Sequence, residues 1–515
     1  MVGVDAGFLS LETGRMPLHV TAACLLEGPA GQADRCFDEL LERLDRLVRS
    51  RPLLRLGVHR SPLGLHNPWW VEWRSVDPAR HVSRMLASGD RPEDVERTAA
   101  SVLTIPMRMD RPLWDLWLVE SRKAGVATTR ALVMRAHHAL SDGLAGIEVV
   151  AGLFDAALFD AAPAAGRNGQ PGTAPAERRV WSPTGGRPGG RLPGGRLPRH
   201  QPEDAAPPSA VPSVAAMLAY EMVGLAFRPV VAGVALRHTA SAVFRAGRTW
   251  SALEDGSKKC GGGCDRRDGA AARVSNRVPR TLFNRAITAR REVSFSRVAV
   301  SDLRAVRRRA GVGLNDVVLA LCSGAVRAYL LDRSALPARS LVALVPLALR
   351  ADTGRDGLRN RVGAVQVPLA TEQADALERL GRIGAFTASA GGRPAVTAGL
   401  ASEWLDVFSP AAASLASKTA SALNLFDHVP LPFNLVVSAV PGPRAKLALA
   451  ATELDAIHPL GPVVEGAALN ITAVSYAGKF HFGVVSCPDV VDDAKSIAER
   501  LPLELDGLLA ATSTR

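Results

Sequence analysis

The hydrophobic residues of this chain recur with two periods, one typical of helices and one typical of strands. Helical spacing predicts helices over residues 32–50, 144–150, 301–310, 317–331 and 492–510. Apolar runs that alternate, or that end at Gly or Pro, predict strands over residues 22–26, 69–73, 111–119, 131–135, 293–298, 341–346, 363–369 and 433–440, and a hairpin over 469–486. The pattern therefore predicts a mixed α/β fold with strand pairing over long sequence distances.

A change in composition divides the chain. Residues 161–211 are rich in Pro, Gly, Ala and Arg, with a local Gly-Gly-Arg repeat at 185–198. Such a stretch cannot bury enough apolar surface to offset its ordering entropy, so we expect it to be disordered. The division is then an N-terminal lobe, a basic linker and a C-terminal lobe, at 1–160, 161–280 and 281–515.

Within the linker, residues 214–236 form an apolar segment that Arg228 and Pro229 interrupt, and it is predicted to be helical. Packing of this helix against one of the lobes is the interpretation that we favour. The alternative is a helix lying in a membrane surface, because basic residues flank the segment.

Composition places the chain among globular proteins that are soluble or bound to a surface. Of its 515 residues, 47% are hydrophobic and 22% are charged. We find no secretory signal at the N-terminus, and no uninterrupted apolar run of about 18 residues that predicts a membrane-spanning helix. The 6 scattered cysteines fit a reducing compartment. We expect a cytoplasmic protein, peripheral to the inner membrane or to lipid inclusions if it binds a surface.

The net charge of +12 arises in one part of the chain. Residues 161–290 contain 20 Lys and Arg residues and 8 Asp and Glu residues, so the remainder is formally neutral. Neither interleaved aromatic residues nor a recognition motif accompanies this basic segment, so we expect no nucleic-acid partner. An anionic membrane or lipid-droplet surface is the partner that fits it, and a solvated linker without a partner is the alternative.

One motif combines residue types suited to acid–base chemistry. Residues 137–143 follow the pattern His-His-x-x-x-Asp-Gly, between a predicted strand and the helix that Gly143 opens. Since neighbouring residues of an extended segment point to opposite faces, only one of His137 and His138 can face a cleft. Asp142 lies in the turn, where a carboxylate can bind backbone amides or an arginine. Histidine takes up and returns a proton near neutral pH, so we interpret the motif as catalytic.

The alternative for this motif is a pair of structural histidines beside a turn aspartate. Histidine accounts for only 11 of the 515 residues, so this combination rarely arises by chance. The rarity favours the functional interpretation.

A second candidate group opens the predicted helix at 317–331. Asn315 and Asp316 lie at its start, just after Gly313. Either side chain is suited to capping the helix N-terminus, which contributes about 1 kcal/mol. Asn315 is equally suited to bind a reacting carbonyl or hydroxyl group, so both roles stay open at this point.

Several other chemistries lack their motifs in this sequence. No Gly-x-Ser-x-Gly is present, which disfavours a serine acyl-enzyme, and no Gly-x-x-x-x-Gly-Lys-[Ser/Thr] is present, which disfavours activation of an acyl group by ATP. Cys260 and Cys264 form a single pair without a second pair nearby, so we expect no metal site.

The histidine motif resembles the active-site motif of the CoA-dependent acyltransferase superfamily, and the remaining sequence resembles one branch of it. That branch is the bacterial wax ester synthase/diacylglycerol acyltransferase family. Besides the motif, the matching segments are residues 5–13, 16–20, 112–114, 315–320, 434–443 and 466–472. The resemblance covers almost the whole chain except about 161–275.

The resemblance implies an α/β (α+β) fold of two chloramphenicol-acetyltransferase-like lobes, with mixed sheets and a catalytic channel between them. The implied reaction moves a long-chain acyl group from acyl-CoA to the hydroxyl of diacylglycerol or of a long-chain fatty alcohol, without an acyl-enzyme. Acyl-CoA is then a co-substrate, and no cofactor is required.

The resemblance also implies roles for individual residues. The second histidine, His138, is the general base, while His137 and Asp142 hold the loop and orient the ring. Supporting or substrate-binding residues are then Gly143, Asn315 and Asp316.

Two alternatives to this function are kept. The first is another acyl transfer within the superfamily, from a carrier-protein thioester or to a glycolipid acceptor. The second is a non-catalytic lipid-droplet-binding protein whose histidines are relics. The sequence does not distinguish diacylglycerol from a fatty alcohol as acceptor.

Overall fold

A computed structural model of the chain contains two six-stranded sheets with helices packed around them. The structure describes residues 1, 3–27, 31–89, 91–123, 126–140, 143–154, 211–226, 228, 237, 278–348, 362–390, 408–429, 431–449 and 452–513. In these residues the helices are α1 Gly3–Leu11, α2 Ala33–Ser50, α3 Pro92–Thr104, α4 Gly143–Leu153, α5 Val214–Ala226, α6 Val300–Ala310, α7 Leu314–Asp332, α8 Ala376–Ala390, α9 Pro410–Ala422 and α10 Ala494–Ser513. The strands are β1 His19–Glu27, β2 Leu56–His59, β3 Trp69–Glu72, β4 Val82–Leu86, β5 Trp114–Lys123, β6 Val126–His137, β7 Glu292–Ala299, β8 Val342–Ala348, β9 Val362–Pro368, β10 Leu435–Val440, β11 Ala448–Leu449, β12 Thr452–Leu460, β13 Leu469–Tyr476 and β14 Lys479–Ser486.

The first sheet has the strand order β11-β12-β1-β6-β5-β4. Antiparallel pairing joins β12 to β1, β1 to β6 and β6 to β5, whereas β4 runs parallel to β5. β6 therefore has a hydrogen-bonded strand on each side, and its last residue is His137. The two neighbouring strands together fix the position of this strand end.

The second sheet has the strand order β7-β14-β13-β10-β8-β9. β13 and β14 form the predicted hairpin, which turns through positive φ angles at Ala477 and Gly478, as a tight two-residue turn requires. β10 runs parallel to both β13 and β8, while the other pairs are antiparallel. Both sheets are therefore mixed, which confirms the predicted fold class.

A segment from the C-terminal part of the chain crosses to the first sheet. β12 pairs with β1 from Thr21 opposite Leu460 to Glu27 opposite Glu453, and β11 continues the sheet beyond β12. The predicted division into lobes at 1–160 and 281–515 assigned β11 and β12 to the second lobe, whereas these two strands complete the first sheet. A local sequence pattern carries no information on which distant strands pair. The other boundaries of that division stay a prediction.

Helix α2 shows how the apolar spacing produces the packing. Its buried side chains include Cys36, Leu40, Leu44 and Leu47, which lie on one face because they are separated by three or four residues. The opposite face is charged and exposed, so this helix covers the first sheet with one stripe and meets solvent with the other.

Helix α7 is apolar around its whole circumference and lies at the centre of the second lobe. By length and composition it is apolar enough to cross a membrane, but 72% of its most apolar window is buried inside the protein. A helix that is hydrophobic on all sides belongs in a large core, and the neighbours of α7 include α6, α8, α10 and β10.

Both lobes share a hydrophobic core. The face of β6 that carries Ala131 and Val133 belongs to the same buried cluster as α3 and Val317 of the second lobe. The other face, with Leu132 and Met134, packs against α2 and α4. The first sheet is thus covered by its own helices on one side, and by α3 and the second lobe on the other.

Where the structure describes them, the predicted helices and strands are present, with ends that differ by a few residues. Of the predicted helix at 214–236, residues 214–226 are described as α5. The ranges 161–210 and 238–277, including Cys260 and Cys264, lie outside the described residues. The described cysteines are free and buried, at positions Cys24, Cys36, Cys322 and Cys487.

A buried ion pair holds the last part of β6. The fully buried guanidinium of Arg135 donates to both carboxylate oxygens of Asp115 on β5, at 2.8 and 2.6 Å. Its Nη1 donates to the carbonyl oxygens of Val102, in the last turn of α3, and of Ile105, the residue that follows the helix. The charge is therefore paired and hydrogen-bonded, two residues before His137.

Replacing Asp115 by Ala should lower the free energy of unfolding by about 3–5 kcal/mol, because Arg135 is left as a buried charge without its counterion. Urea unfolding followed by tryptophan fluorescence measures this change. Asp110→Ala is the matched control, since Asp110 pairs with the exposed Arg108 and such a pair contributes below about 1 kcal/mol. Equal losses for the two variants would contradict the proposed contribution of the buried pair.

Candidate functional site

The end of β6 separates the two neighbouring histidines. The backbone nitrogen of His137 donates to the carbonyl oxygen of Leu113 at 3.0 Å, and that of His138 donates to the carbonyl oxygen of Leu18 at 2.9 Å. Extended backbone turns successive side chains to opposite sides. Accordingly His137 is 0% exposed, while His138 is partly exposed. As the alternation predicts, only one of the two rings is accessible, and it is the second.

The accessible ring of His138 lies against an aromatic side chain of α1. It stacks on Phe8, with the ring centroids 4.1 Å apart and the planes inclined by 16°. This contact fixes the plane of the imidazole. The residue as a whole is partly exposed while its Nδ1 is buried, so a substrate hydroxyl would have to reach Nε2.

The buried ring of His137 is fixed by contacts at both nitrogens. Its Nδ1 accepts a hydrogen bond from the backbone nitrogen of Ala139 at 3.0 Å. A neutral imidazole that accepts at Nδ1 carries its proton on Nε2, and this Nε2 lies 3.4 Å from Oε2 of Glu12. His137 therefore connects the turn after β6 to the residue that follows α1.

A second buried histidine contacts the same carboxylate. His19 on β1 is directly opposite His137 on β6, with their ring centroids 6.1 Å apart. Its Nε2 lies 3.4 Å from Oε1 of Glu12, which also accepts a hydrogen bond from the backbone nitrogen of Leu18. One carboxylate thus lies between two imidazole rings in a site that is closed to solvent on the histidine side.

The electrostatics of this group favour a charged glutamate. Burial alone would raise the pKa of Glu12, but the contacts with His137 and His19 outweigh it and hold that pKa well below its ordinary range. Burial lowers the pKa of His19, and the nearby positive charge of Arg135 also lowers it. At neutral pH the group is therefore a carboxylate beside a neutral His19.

A single helix supplies contacts to both neighbouring histidines. Phe8 lies in the last turn of α1 and Glu12 directly follows the helix, four residues later, a spacing that places side chains on the same side of a helical turn. Phe8 contacts His138, and Glu12 contacts His137. Sequence reasoning missed both residues: they lie in the segment 5–13 that matches the family, but nothing in that segment shows which histidine they contact.

The second lobe holds the segment that follows α1. Arg15 donates to the carbonyl oxygen of Ser421 at 2.9 Å and to Oδ1 of Asn424 at 2.5 Å. The hydroxyl of Ser417 on α9 donates to the carbonyl oxygen of Leu11 at 2.9 Å. The residues that contact the histidines are therefore anchored from the opposite lobe.

Of the last two residues of the histidine motif, the structure describes Gly143 but not Asp142. Asp142 lies outside the described residues, so its predicted role in orienting the loop stays a prediction. Gly143 begins α4, as the sequence predicts. The motif therefore joins the end of β6 to the start of a helix.

The start of α7 decides which of two residues caps the helix. The N-cap residue is Gly313, and its backbone nitrogen donates to Oδ2 of Asp316 at 2.7 Å. The other oxygen of Asp316 accepts a hydrogen bond from the hydroxyl of Thr387 on α8 at 2.8 Å. Asn315, for which capping was an open alternative, is exposed and its side chain makes no hydrogen bond to any described residue. The capping role belongs to Asp316, because the third helical position can reach back to the N-cap nitrogen and the second cannot.

Two asparagines in the segments that match the family have structural partners. Oδ1 of Asn434 accepts from the backbone nitrogen of Val342 at 2.8 Å, and its Nδ2 donates to Oδ1 of Asn284 at 2.7 Å. Nδ2 of Asn470 donates to the carbonyl oxygen of Pro462 at 2.9 Å. These side chains brace loops beside β10 and β13.

The arrangement is suited to proton transfer. An accessible imidazole on a rigid strand end can remove a proton from a hydroxyl and return it to a leaving group. The buried neighbour and its carboxylate restrict the motion of the turn, which is how a site keeps its reacting group in place. The residues present are therefore suited to general-base chemistry.

Comparison with known proteins gives the family. The model of the wax ester synthase/diacylglycerol acyltransferase catalytic domain matches residues 1–318, and the model of the WS/DGAT C-terminal domain matches residues 358–508. A putative diacylglycerol O-acyltransferase of Mycobacterium tuberculosis is 30% identical over 524 residues, covering 99% of each chain. A probable diacylglycerol O-acyltransferase of the same species is 29% identical over 510 residues, covering 99% of this chain and 98% of the relative.

Solved structures share the fold. The wax ester synthase/diacylglycerol acyltransferase from Marinobacter aquaeolei VT8 matches with a TM-score of 0.60 at 22% identity, covering 99% of this chain and 98% of that one. The TRI3 trichothecene 15-O-acetyltransferase from Fusarium sporotrichioides matches with a TM-score of 0.51 at 12% identity, covering 99% and 94%. The catalytic-domain match spans more than half of the sequence and includes the histidine motif. The chain therefore belongs to the wax ester synthase/diacylglycerol acyltransferase family.

Proposed function

We propose that this protein transfers a long-chain acyl group from acyl-CoA to the hydroxyl of diacylglycerol, of a long-chain fatty alcohol, or of both. The observation that carries the proposal is the accessible imidazole of His138, fixed at the end of β6 in a chain of this family. The relatives compared above are named diacylglycerol O-acyltransferases, which favours diacylglycerol as the acceptor and triacylglycerol as the product.

In the proposed mechanism His138 takes the proton of the acceptor hydroxyl as its oxygen attacks the thioester carbonyl carbon of acyl-CoA. An oxygen–carbon bond forms, and the carbon–sulfur bond breaks. The imidazolium then returns the proton to the departing thiolate, so the products are an ester and free CoA. Thiolate is a good leaving group, because thiols have a pKa of about 8.5. The reaction needs no nucleophile from the enzyme, and acyl-CoA is its only co-substrate, without a metal or prosthetic group.

The supporting residues have distinct proposed roles. Glu12 holds His137, and His137 in turn holds the turn that carries His138. Asp142 contributes to the same turn. Asn315, which does not cap α7, is proposed to bind the reacting carbonyl or hydroxyl group. In this proposal His138 alone transfers the proton, and the other residues hold it in position or bind substrate.

The location of the substrates completes the proposal. The catalytic channel is proposed to lie between the lobes, and the contacts of segment 11–16 with α9 show that the two lobes meet close to the histidine motif. The protein works in the cytoplasm at the periphery of an anionic membrane or a lipid droplet, because diacylglycerol and long-chain alcohols partition into lipid instead of water.

A competition assay tests the function. Labelled palmitoyl-CoA is supplied with diacylglycerol and hexadecanol together, and the neutral lipids are separated. Label in triacylglycerol or in wax ester supports the proposal and shows which acceptor is preferred. Transfer from an acylated carrier protein but not from palmitoyl-CoA would replace it with the carrier-dependent alternative. Lipid-droplet binding without any transfer would favour a non-catalytic coat.

His138→Ala should lower turnover by about 10²–10⁴-fold, the usual contribution of a positioned general base. The protein should stay folded, because this ring is partly exposed. Initial rates of CoA release and the melting temperature are measured together. His428→Ala, at an exposed histidine of the second lobe, is the control. Turnover that survives in folded His138→Ala protein would refute the mechanism.

Glu12→Gln should lower kcat by about tenfold with little change in KM for acyl-CoA. The amide offers one acceptor oxygen to two imidazole N–H groups, and hydrogen bonds to a charged group contribute about 1.5–3 kcal/mol. Steady-state kinetics give the two constants. Glu27→Gln is the matched control, since Glu27 is an exposed carboxylate at the other end of β1. An unchanged kcat would show that Glu12 does not position the histidines.

Asp316→Ala should lower the free energy of unfolding by about 1 kcal/mol, because the N-cap nitrogen of α7 loses its acceptor. Asn315→Ala should stay within about 0.5 kcal/mol of the original stability. It should nevertheless lower kcat/KM by up to about tenfold, the contribution of one hydrogen bond to substrate. Chemical denaturation and steady-state kinetics separate the two effects. If Asn315→Ala changes neither quantity, Asn315 has no part in the site.

A further inference from the structure

Helix α5 has the opposite polarity to an ordinary surface helix. Its only charged residue, Glu221, is 0% exposed, whereas five of its large apolar side chains are exposed. A surface helix of a soluble domain normally buries the apolar stripe and exposes the charges. The reversal needs a physical reason, and the contacts of Glu221 provide it.

The buried carboxylate fixes which side of α5 faces the protein. Oε1 of Glu221 accepts hydrogen bonds from the backbone nitrogens of Leu63 and Leu65, at 3.1 and 3.2 Å. Met217, one turn earlier on the same side, is also buried. Burying a carboxylate costs free energy unless hydrogen bonds compensate it, and the amides of loop 61–66 do so. Rotation of the helix about its axis would break these bonds, so the apolar side is held outward.

The exposed side of α5 carries large apolar side chains and no charge. We define the docking face as six apolar side chains with exposures between 43% and 61%: Leu63, Val214, Tyr220, Met222, Val223 and Leu225. Isolated exposed apolar residues are ordinary, but a contiguous group marks a contact surface. The docking face is therefore a candidate contact surface.

The charge of the sequence on either side of α5 indicates the partner. Residues 161–290, which contain α5, hold 20 basic and 8 acidic residues and so carry the whole net charge of the protein. An apolar helix within a basic stretch of chain fits an anionic lipid surface, where apolar side chains enter the acyl region and cations attract the headgroups. A second copy of this chain would bring an equally basic segment against the first, which disfavours self-association.

A short series of contacts connects the docking face to the candidate site. The backbone nitrogen of Ala411 on α9 donates to the carbonyl oxygen of Gly64 in loop 61–66 at 3.0 Å. α9 packs on α1, which carries Phe8 against His138. The docking face thus lies two elements away from the proposed base.

We propose that the docking face inserts into an anionic lipid surface and brings the enzyme to its water-insoluble acceptor. The proposal rests on the proposed function for the identity of that acceptor, but the binding itself is independent of catalysis. Glu221 is the residue that sets the orientation, and the docking face supplies the contact.

Vesicle flotation of the full chain tests the proposal, with phosphatidylcholine vesicles that contain or lack phosphatidylglycerol. Wild-type protein should float with the anionic vesicles. Met222→Glu/Val223→Glu should bind at least about tenfold more weakly, because two carboxylates oppose insertion and are repelled by the headgroups. The matched control is Leu331→Glu/Leu503→Glu, at exposed leucines of α7 and α10. Melting temperatures equal to that of the wild type show that each variant is folded.

Activity distinguishes this proposal from the proposed function. With diacylglycerol dispersed in detergent, Met222→Glu/Val223→Glu should keep its turnover, and with diacylglycerol in anionic vesicles it should lose most of it. A wild type that floats but transfers no acyl group refutes the function and leaves the docking face standing. Equal flotation of the wild type and this variant overturns the docking face. A dimer that the variant dissociates, without flotation of the wild type, assigns the face to a second copy and also overturns it.

Discussion

The alternation of side chains at the end of β6 is the constraint on which the candidate site depends. It directs the His137 ring inward, where it contacts Glu12, and leaves His138 partly exposed against Phe8. Both contacting residues come from the end of α1, and the turn after α1 is anchored by the second lobe. A shift of β6 by one residue against β1 would exchange the two histidines and place the wrong ring in the open position.

Much of the fold could be predicted from the sequence, because the strongest patterns are local. The apolar stripe of α2 and the alternation in β13 each contain enough residues of one period to identify the element and its buried face. β12 was not predicted, since His458 and Pro459 interrupt its apolar pattern. Its partner is β1, near the other end of the chain, and no local pattern specifies such a pairing.

The candidate site divides in the same way. The histidine pair, its strand and the opposite orientations of the two rings follow from neighbouring residues, and the sequence was sufficient for them. Glu12 and His19 reach the pair only through the packing of α1 and the register of β1, which are tertiary properties. The cap of α7 was assigned only as an alternative between Asn315 and Asp316. Both residue types can cap a helix, and only the structure shows which side chain reaches the N-cap nitrogen.

The pairing of β12 with β1 has a consequence for the synthesis of the protein on the ribosome. β1 is synthesised early, yet one of its edges has no partner until residues 452–460 have emerged from the exit tunnel. During nearly the whole of translation the nascent first sheet presents an unsatisfied strand edge, a surface on which incomplete chains aggregate. A fragment that ends before residue 452 would carry the histidine motif and still lack the strand that completes the first sheet.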